Sequence, residues 1–284
     1  MTSESHGPTN APDPPTAPGV RRQLISGLAL APAGANVIMQ LSRLPIGHAI
    51  VESHVDSGSL SKHPIKRTRT TLAFIMTALF GTEHERAVIR REVSATHRLV
   101  RSDPGDAVAY DALDPDLQLW VAACMFRGVV DAVTFLSGPV DDARYAALLG
   151  HCAPFATTLQ VSESRWPRDR EAFEDYWSAS VRDVAMDDVT RAYLRGIAEL
   201  DFLPTPIARL LGPSHRFITV GFLASPFREE LGLSWTTRDQ RRFERVLSGV
   251  ALLNRYLPRP LREFPWNLVE YDTRRRIARG RSVL

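Results

Sequence analysis

Most sequence motifs that identify a common enzyme class are missing from this chain. Its 284 residues contain no glycine-rich phosphate loop of the GxGxxG or GxxxxGKS/T type, no GxSxG turn and no HExxH helix. No two of the eight histidines stand at i, i+4, and none stands in a Glu-x-x-His pattern, as zinc or di-iron sites on a helix would require. Nucleotide-dependent and zinc-hydrolase functions therefore lack their usual support in the sequence.

Cysteine is scarce, and long apolar runs are absent. The two cysteines, Cys124 and Cys152, sit in apolar sequence and form no CxxC pair, so we expect two buried free thiols. No stretch reaches the roughly 18–20 uninterrupted apolar residues that a membrane-spanning helix needs. We therefore predict a chain without an integral membrane segment.

Charge of one sign is not in large excess either. The net charge is +3, and 44% hydrophobic with 24% charged residues is typical of a soluble globular protein, so we expect no nucleic-acid partner. The C-terminal arginines are a local exception, at positions Arg274, Arg275, Arg276, Arg279 and Arg281. They suggest contact with anionic lipid or another acidic surface, but a solvated or frayed terminus is the simpler interpretation.

The first 19 residues differ in composition from the rest of the chain. They are rich in Pro, Ser, Thr and Gly and have almost no large apolar side chains. Such a segment cannot bury enough surface to offset the entropy of ordering, so we predict a disordered tail over residues 1–19. Because no repeat or linker follows, residues 20–284 are predicted to form a single domain.

The start of that domain allows two interpretations. Arg21 and Arg22 precede an apolar stretch over residues 24–39, which suggests a twin-arginine export signal. The alternative is an ordinary N-terminal helix and turn of the fold. We prefer the second, because the apolar pattern continues past any cleavage point through Leu41 and Leu44. The predicted location is cytoplasmic, with export as the alternative.

Helical periodicity dominates the remaining sequence. An i, i+3, i+4, i+7, i+8 stripe predicts one buried helix face. Its members are Leu72, Ile75, Met76, Leu79 and Phe80. Gly81 is expected to end this helix in the left-handed conformation, and Thr82 to Glu85 reads as a capping box that begins the next helix. His97 lies on the apolar face of that next helix, with Ile89 and Val93.

Other helix signals continue to the end of the chain. Asp114 and Pro115 predict the start of a long apolar helix that Gly138 and Pro139 end. Further helices are expected at about 140–159, 168–182 and 187–200, and Thr237 to Gln240 reads as another capping box. Two-residue alternation and Asn-Gly or Asp-Gly hairpins are absent. The fold class is therefore predicted to be all-α.

One small group of residues combines polar chemistry with this helical pattern. Arg67 and Thr71 are four residues apart at the start of the first helix, so they share a face. His97 is on the following helix, and two helices joined by a short turn pack antiparallel. We expect this packing to bring His97 toward Arg67 and Thr71. Taken alone, each residue has a structural explanation, because a lone histidine on an apolar face is more often a core residue than a ligand.

An ordered series of motifs resembles a known family of oxygenases. It comprises Arg67-x-x-x-Thr71, Phe80-Gly81, His97, Tyr110-x-Ala112-x-Asp114-Pro115 with Trp120, residues 231–235 (LGLSW) and residues 257–265 (LPRPLREFP). This series resembles the catalytic domain of the rubber oxygenase (latex clearing protein) and MpaB family over roughly residues 22–280. The resemblance implies a helical domain with the globin-like core of that family.

The resemblance also implies a cofactor and roles for four residues. His97 would bind the iron of a b-type haem, and Arg67 and Thr71 would lie near the haem. Arg67 would pair with a propionate or stabilise negative charge on dioxygen, and Glu52 stands near the position of a catalytic base. The rubber oxygenase has a lysine just before the threonine, whereas this chain has Thr70, which cannot bind iron as an amine does.

Three hypotheses follow for the function. The first is a haem-b oxygenase that uses dioxygen on an apolar, isoprenoid or lipid-like substrate. The second is a non-catalytic module that binds haem or an apolar ligand. We keep this hypothesis because Thr70 stands where the rubber oxygenase has a lysine. The third is a helical regulatory or scaffold protein without a cofactor.

Overall fold

The computed structural model describes residue 21, residues 24–52 and residues 63–284, so the predicted tail over 1–19 lies outside the described residues. This part of the chain is helical and has no strand, with a single isolated β-bridge between Arg101 and Asp111. The all-α prediction is confirmed. Two short 3-10 helices are Gly27–Leu30 and Glu163–Arg165. The α-helices are Ala33–Leu41 (α1), Leu44–Val51 (α2), Pro64–Phe80 (α3), Glu83–His97 (α4), Pro115–Ser137 (α5), Asp142–Cys152 (α6), Pro154–Thr157 (α7), Arg170–Val181 (α8), Asp188–Glu199 (α9), Thr205–Phe222 (α10), Ser225–Glu230 (α11), Thr237–Asn254 (α12), Arg259–Arg262 (α13) and Trp266–Ala278 (α14).

Helix α5 is the central element of the core. It begins as predicted, because the Asp114 carboxylate accepts hydrogen bonds from the first free backbone N–H groups and Pro115 occupies the first helical position. It ends at Gly138, whose positive φ of 89° favours glycine. Its 23 residues are long and apolar enough to cross a membrane, but Trp120 and Phe126 are fully buried inside the fold. These contacts indicate the core helix of a globular domain.

Aromatic rings bind α5 to the helices around it. Trp120 stacks on Trp177 of α8 with ring centroids 5.2 Å apart, and Phe126 meets Phe173 of α8 edge-on at 4.7 Å. Each such pair contributes about 0.5–1.5 kcal/mol beyond the burial of its surface. Cys124 and Cys152 are buried, free thiols, which confirms that prediction.

Two of the predicted helix ends differ from the structure. The Thr82 capping box is present as expected, with the Glu85 side chain bound to the Thr82 backbone N–H. Gly81, however, is extended at φ −75° and ψ 155°, so the prediction of a left-handed helix end was wrong. The later capping box is also one residue earlier than predicted, because the Thr236 hydroxyl faces Asp239.

The C-terminal half contains the other corrections. The helix expected at 140–159 is divided into α6 and α7, since Pro154 cannot donate the backbone hydrogen bond that would continue α6. Helices α10 and α14 had not been predicted. The end of the chain is not frayed: Arg274 to Arg276 belong to α14, and the Glu92 carboxylate accepts hydrogen bonds from the backbone of Val283 and Leu284.

Helices α3, α4 and α9 and the loop after α4 supply the region of the predicted site. Helix α9 lies against α1, α2 and α10, whereas α3 lies against α4 and α14. The loop after α4 folds back, because Ser102 N donates to Tyr110 O and Ala112 N donates to Val100 O. This loop carries Ala112 back to the end of α4. The start of α3, the end of α4 and the middle of α9 thereby supply the predicted site.

Candidate cofactor-binding site

Arg67 stands in the first turn of α3. Its side chain is accessible to solvent, yet surrounding protein desolvates it enough to lower the pKa of its guanidinium. Solvent access and strong desolvation occur together where a side chain lies in a recess that is open to water but enclosed by protein. The hydroxyl of Tyr193 on α9 favours the charged form of Arg67 across this recess. The recess therefore holds a permanent positive charge at reduced solvation.

The two threonines that follow Arg67 have different environments. Thr70 is buried, and its hydroxyl donates a hydrogen bond to the carbonyl oxygen of Arg67 at 3.0 Å. Its side chain is thus bound to its own helix rather than directed at a ligand. Thr71 is only half-buried and lies one turn after Arg67 on the same face, as the spacing predicted.

His97 is the last residue of α4 and approaches the Arg67 side of α3. Burial, followed by the charge of Arg67, lowers the pKa of its imidazole to about 4. The backbone carbonyl of Ala112 partly opposes this shift because it favours the protonated ring. The Nδ1 atom is buried and has no hydrogen-bond partner among the described residues. The ring is therefore uncharged at pH 7, and its Nδ1 atom makes no hydrogen bond with the described residues.

A network of glutamine side chains supports the Ala112 carbonyl beside His97. Gln118 on α5 donates to the Ala112 oxygen at 2.9 Å and to the side-chain oxygen of Gln160 at 3.2 Å. Gln160, whose positive φ of 69° is unusual for a residue with a side chain, donates in turn to Ser94 on α4 at 2.6 Å. The network ties the loop and α5 to the helix that carries His97.

Glu52 belongs to a separate group of charges at the end of α2. His48 is buried between two carboxylates, with Nδ1 2.7 Å from Glu52 Oε1 and Nε2 2.6 Å from Asp187 Oδ2. Burial opposes the charge on the ring, but the hydrogen bonds to Asp187 and Glu52 outweigh it and raise the pKa of His48. Burial and the nearby Glu52 also raise the pKa of Tyr110.

Helix α9 connects this group to the recess. Asp187 caps α9, because its other carboxylate oxygen accepts a hydrogen bond from Thr190 N at 2.9 Å, and Tyr193 follows less than two turns later. The structure thus brings Arg67 and His97 together. It places Glu52 in the neighbouring group, where its described hydrogen-bond partner is His48.

Several residues of this region were not found by sequence reasoning. Tyr193, Gln118 and Asp187 come from distant segments, and no local motif identifies them. Two signals were present in the sequence. His48 and Glu52 form an i, i+4 pair, and Gln118 is a polar residue in an otherwise apolar helix start.

Neither clustered metal ligands nor a nearby pocket offers a different site. Among the described residues, no group of three or more His, Cys, Asp or Glu side chains is arranged to hold a metal ion. A pocket of about 580 Å³ lies at the turn from α9 to α10, where Asp201 and Arg209 help to line it. None of the predicted site residues lines this pocket. A prosthetic group that needs one protein imidazole fits the residues present better than a multi-ligand metal site does.

Comparison with known proteins assigns the domain to a class of helical oxygenases. Residues 21–252 match the family described as "ER-bound oxygenase mpaB/B'/Rubber oxygenase, catalytic domain", and the chain therefore belongs to that family. Similar relatives are "Uncharacterized protein Mb2261" of Mycobacterium bovis and "Uncharacterized protein Rv2237" of Mycobacterium tuberculosis. Each is 46% identical over 255 residues, which cover 90% of this chain and 100% of the relative. No solved structure matches the chain.

Proposed function

We propose that this protein is a haem-b-dependent oxygenase that acts on an apolar substrate of isoprenoid or lipid-like character. Membership of an oxygenase catalytic-domain family supports the reaction class. The observation that carries the proposal is His97, a desolvated imidazole with a pKa of about 4 and a buried nitrogen that is unpaired among the described residues. Metal binding requires a neutral imidazole, and the recess keeps this ring neutral at physiological pH.

In this proposal His97 holds the iron and Arg67 holds the negatively charged periphery of the cofactor. A bound haem b supplies the redox chemistry with dioxygen. Arg67 offers a forked donor that suits a carboxylate such as a propionate, and its positive charge acts strongly because the recess is poorly solvated. Thr71 presents a hydroxyl from the same face of α3.

Glu52 is the proposed proton acceptor. Its carboxylate is partly exposed, and His48 holds it at 2.7 Å. His48 in turn binds Asp187, so the three side chains keep the Glu52 carboxylate oriented while leaving its second oxygen able to accept a proton. The proposed role of Glu52 rests on the family resemblance, and its charge environment supports the capacity for proton transfer.

One observation favours a second candidate, a module that binds haem or an apolar ligand without turnover. Thr70 replaces a lysine of the rubber oxygenase, and its hydroxyl is already bound to the Arg67 carbonyl. The position therefore offers no amine that could bind the iron of a haem. In this candidate His97 and Arg67 keep their binding roles, and Glu52 has no catalytic one.

Haem binding is tested first, by an absorption spectrum of the protein expressed with haem supplied. We expect a Soret band in the wild type that is lost in His97→Ala. His151→Ala is the matched control, because His151 also has a buried nitrogen that is unpaired among the described residues, and burial lowers its pKa as well. A wild-type protein without a Soret band would exclude the oxygenase and a haem-binding module, and would leave a module for an apolar ligand or a cofactor-free helical scaffold.

Turnover is tested next, by dioxygen uptake of the haem-loaded protein with isoprenoid and lipid-like substrates. Uptake that depends on substrate and falls at least roughly 100-fold in Glu52→Gln supports the oxygenase with Glu52 as base. A Soret band without any substrate-dependent uptake would leave the binding module as the function.

We also propose a cytoplasmic location. Arg21, the first of the two adjacent arginines, donates two hydrogen bonds of 2.8 Å to Glu270 and lies over the ring of Phe80. Such contacts support an arginine that belongs to the folded domain rather than to a signal that is removed. Fractionation of the native producing cells tests this, and recovery of the protein in the secreted fraction would contradict it.

A further inference from the structure

Apolar side chains project into solvent from the end of α12 to the middle of α14. The six most exposed of these side chains have exposed fractions between 55% for Phe264 and 80% for Tyr256. These six residues, here named the C-terminal apolar face, are Leu253, Tyr256, Leu261, Phe264, Leu268 and Tyr271. Six large hydrophobic side chains this exposed within 19 consecutive residues exceed the single, scattered exposure that is normal, and we infer from this density that they form an interaction surface.

The C-terminal apolar face belongs to well-anchored backbone. Trp266 is buried and its indole N–H donates to the carbonyl of Ser26 at 3.0 Å, which fixes the start of α14. Val269 is buried on the same side of that helix. Leu268 and Tyr271 lie on the other side, and their spacing of three residues keeps them adjacent. Leu268 and Tyr271 are therefore presented by a fixed helix, and not by a loose tail.

Positive charge is concentrated in the same part of the chain. Residues 255–284 contain eight arginines and only three acidic residues. The acidic residues are neutralised within the fold: Glu263 pairs with Arg259, Glu270 with Arg21 and Arg274, and Asp272 with Arg276 and Arg69. Five of these eight arginines form no ion pair in the described part of the chain. Three of them, Arg255, Arg262 and Arg275, lie on or between the helices that carry the apolar side chains, and the other two, Arg279 and Arg281, follow α14. Unneutralised positive charge is thus interleaved with the apolar side chains.

We propose that the C-terminal apolar face, with Arg255, Arg262 and Arg275, is a docking surface for an anionic membrane. Leucine and phenylalanine insert into the acyl boundary, tyrosine prefers the headgroup level, and unpaired arginines attract anionic lipid. The arginines alternate with the apolar residues along the sequence, so the same surface offers apolar insertion and attraction to anionic headgroups. This proposal extends the surface beyond the basic C-terminal run and is independent of the oxygenase function.

The apolar contribution is tested by co-sedimentation of the full-length chain with vesicles. The vesicles contain phosphatidylcholine alone or phosphatidylcholine mixed with phosphatidylglycerol. We expect binding to the anionic vesicles, and a roughly tenfold or larger loss in Leu261→Gln/Leu268→Gln. Val189→Gln is the control, because Val189 is also exposed but lies on α9, outside the C-terminal apolar face. Circular dichroism checks that each variant is folded.

The charge contribution is tested with Arg255→Gln/Arg262→Gln/Arg275→Gln. At low salt the partition coefficient on anionic vesicles is expected to fall roughly a hundredfold, and added salt should reduce the wild-type binding toward the variant value. Arg168→Gln is the control, since Arg168 is highly exposed in the loop before α8.

Three results would overturn the proposal. They are no binding of the wild type to anionic vesicles at low salt, equal binding of the wild type and both multiple variants, and a homodimer in analytical ultracentrifugation that Leu261→Gln/Leu268→Gln dissociates. The last result would identify the C-terminal apolar face as an interface between two copies of this chain.

Discussion

Two histidines in the last turns of α2 and α4 have opposite electrostatic environments. His48 lies in the last turn of α2 and His97 is the last residue of α4, so the helix dipole favours a protonated ring at both positions. Even so, the pKa of His48 is raised and the pKa of His97 is lowered to about 4. The dipole is worth less than about 2 kcal/mol even in favourable geometry, and tertiary neighbours decide the outcome at both sites.

The neighbours differ in sign. Burial and then Arg67 disfavour charge on His97, and the described residues offer it no carboxylate within hydrogen-bonding distance. Burial also disfavours charge on His48, but Asp187 and Glu52 each accept a hydrogen bond from its ring. The two carboxylates are 39% and 41% exposed, so the ring is covered but remains near water. The environment of the same side chain therefore favours the neutral form at His97 and the protonated form at His48.

This difference matches two kinds of chemistry. A neutral imidazole with an unpaired nitrogen suits a metal ion, whereas an imidazolium held between carboxylates suits the orientation of acidic side chains and the movement of protons. This contrast supports the proposed cofactor binding at His97 and the proposed proton handling at His48 and Glu52.

The largest expected effect concerns stability in acid. Because the folded pKa of His97 is about 4 and its ordinary value is 6.5, the unfolded chain binds more protons than the folded one between these pH values. The His97 contribution to the free energy of unfolding should fall by about 3 kcal/mol as the pH falls through this window. Urea unfolding of the wild type and of His97→Gln at several pH values measures it.

The variant lacks the titrating ring, so its stability should fall less steeply in acid than that of the wild type. His151→Gln provides a second comparison, since burial lowers the pKa of His151 too but Arg67 is not among the charges that act on it. Parallel pH dependences for the wild type and His97→Gln would show that His97 is not desolvated, and would remove its contrast with His48.

The His48 side should respond in the opposite direction. A raised pKa means that the folded chain binds the proton more tightly, so the stabilisation is fully present below pH 6.5 and is lost as the pH rises through the folded pKa. Because both carboxylates are partly exposed, we expect His48→Gln to cost only about 2 kcal/mol at pH 6 and less at higher pH. Thermal unfolding at pH 6 and pH 9 measures this. A cost that grows with pH would contradict the charged arrangement.

Local sequence patterns predicted the scaffold of this site well. The capping box at Thr82 and the proline start of α5 are decided by residues within one helical turn, so they could be read directly. The closeness of Arg67 and His97 followed from two consecutive helices with a short turn. The backbone conformation of Gly81 could not be read from its sequence, because glycine is as compatible with an extended helix end as with a left-handed one.

The electrostatic partners could not be predicted, because each comes from a distant segment. Asp187 is 139 residues from His48, and Gln118 reaches the Ala112 carbonyl only because the loop after α4 folds back.

The division of α6 from α7 was foreseeable from Pro154. The exposed apolar side chains of α14 could not be predicted from hydrophobic periodicity, because the usual amphipathic pattern places apolar residues on the buried face of a helix.

The smallest expected effect isolates the contribution of Arg67 to His97. Arg67→Met removes the positive charge and keeps an apolar side chain of similar length in the recess. Burial, the larger cause of the low pKa, is retained, so we expect the His97 pKa to rise by about one unit, which is equivalent to about 1.4 kcal/mol. Histidine-selective NMR titration measures the His97 and His48 pKa values in the same sample.

Lys66→Met is the matched control, because Lys66 adjoins Arg67 in sequence, carries the same charge and is exposed. It should leave the His97 pKa within about 0.2 units of the wild type, since exposed charges are screened by water and salt. Equal shifts in the two variants would mean that His97 responds to the net charge of the protein rather than to the Arg67 recess. A shift in His48 as large as that in His97 would contradict the separation of the two regions, because Arg67 acts on the ring of His97 and is not among the causes of the His48 shift.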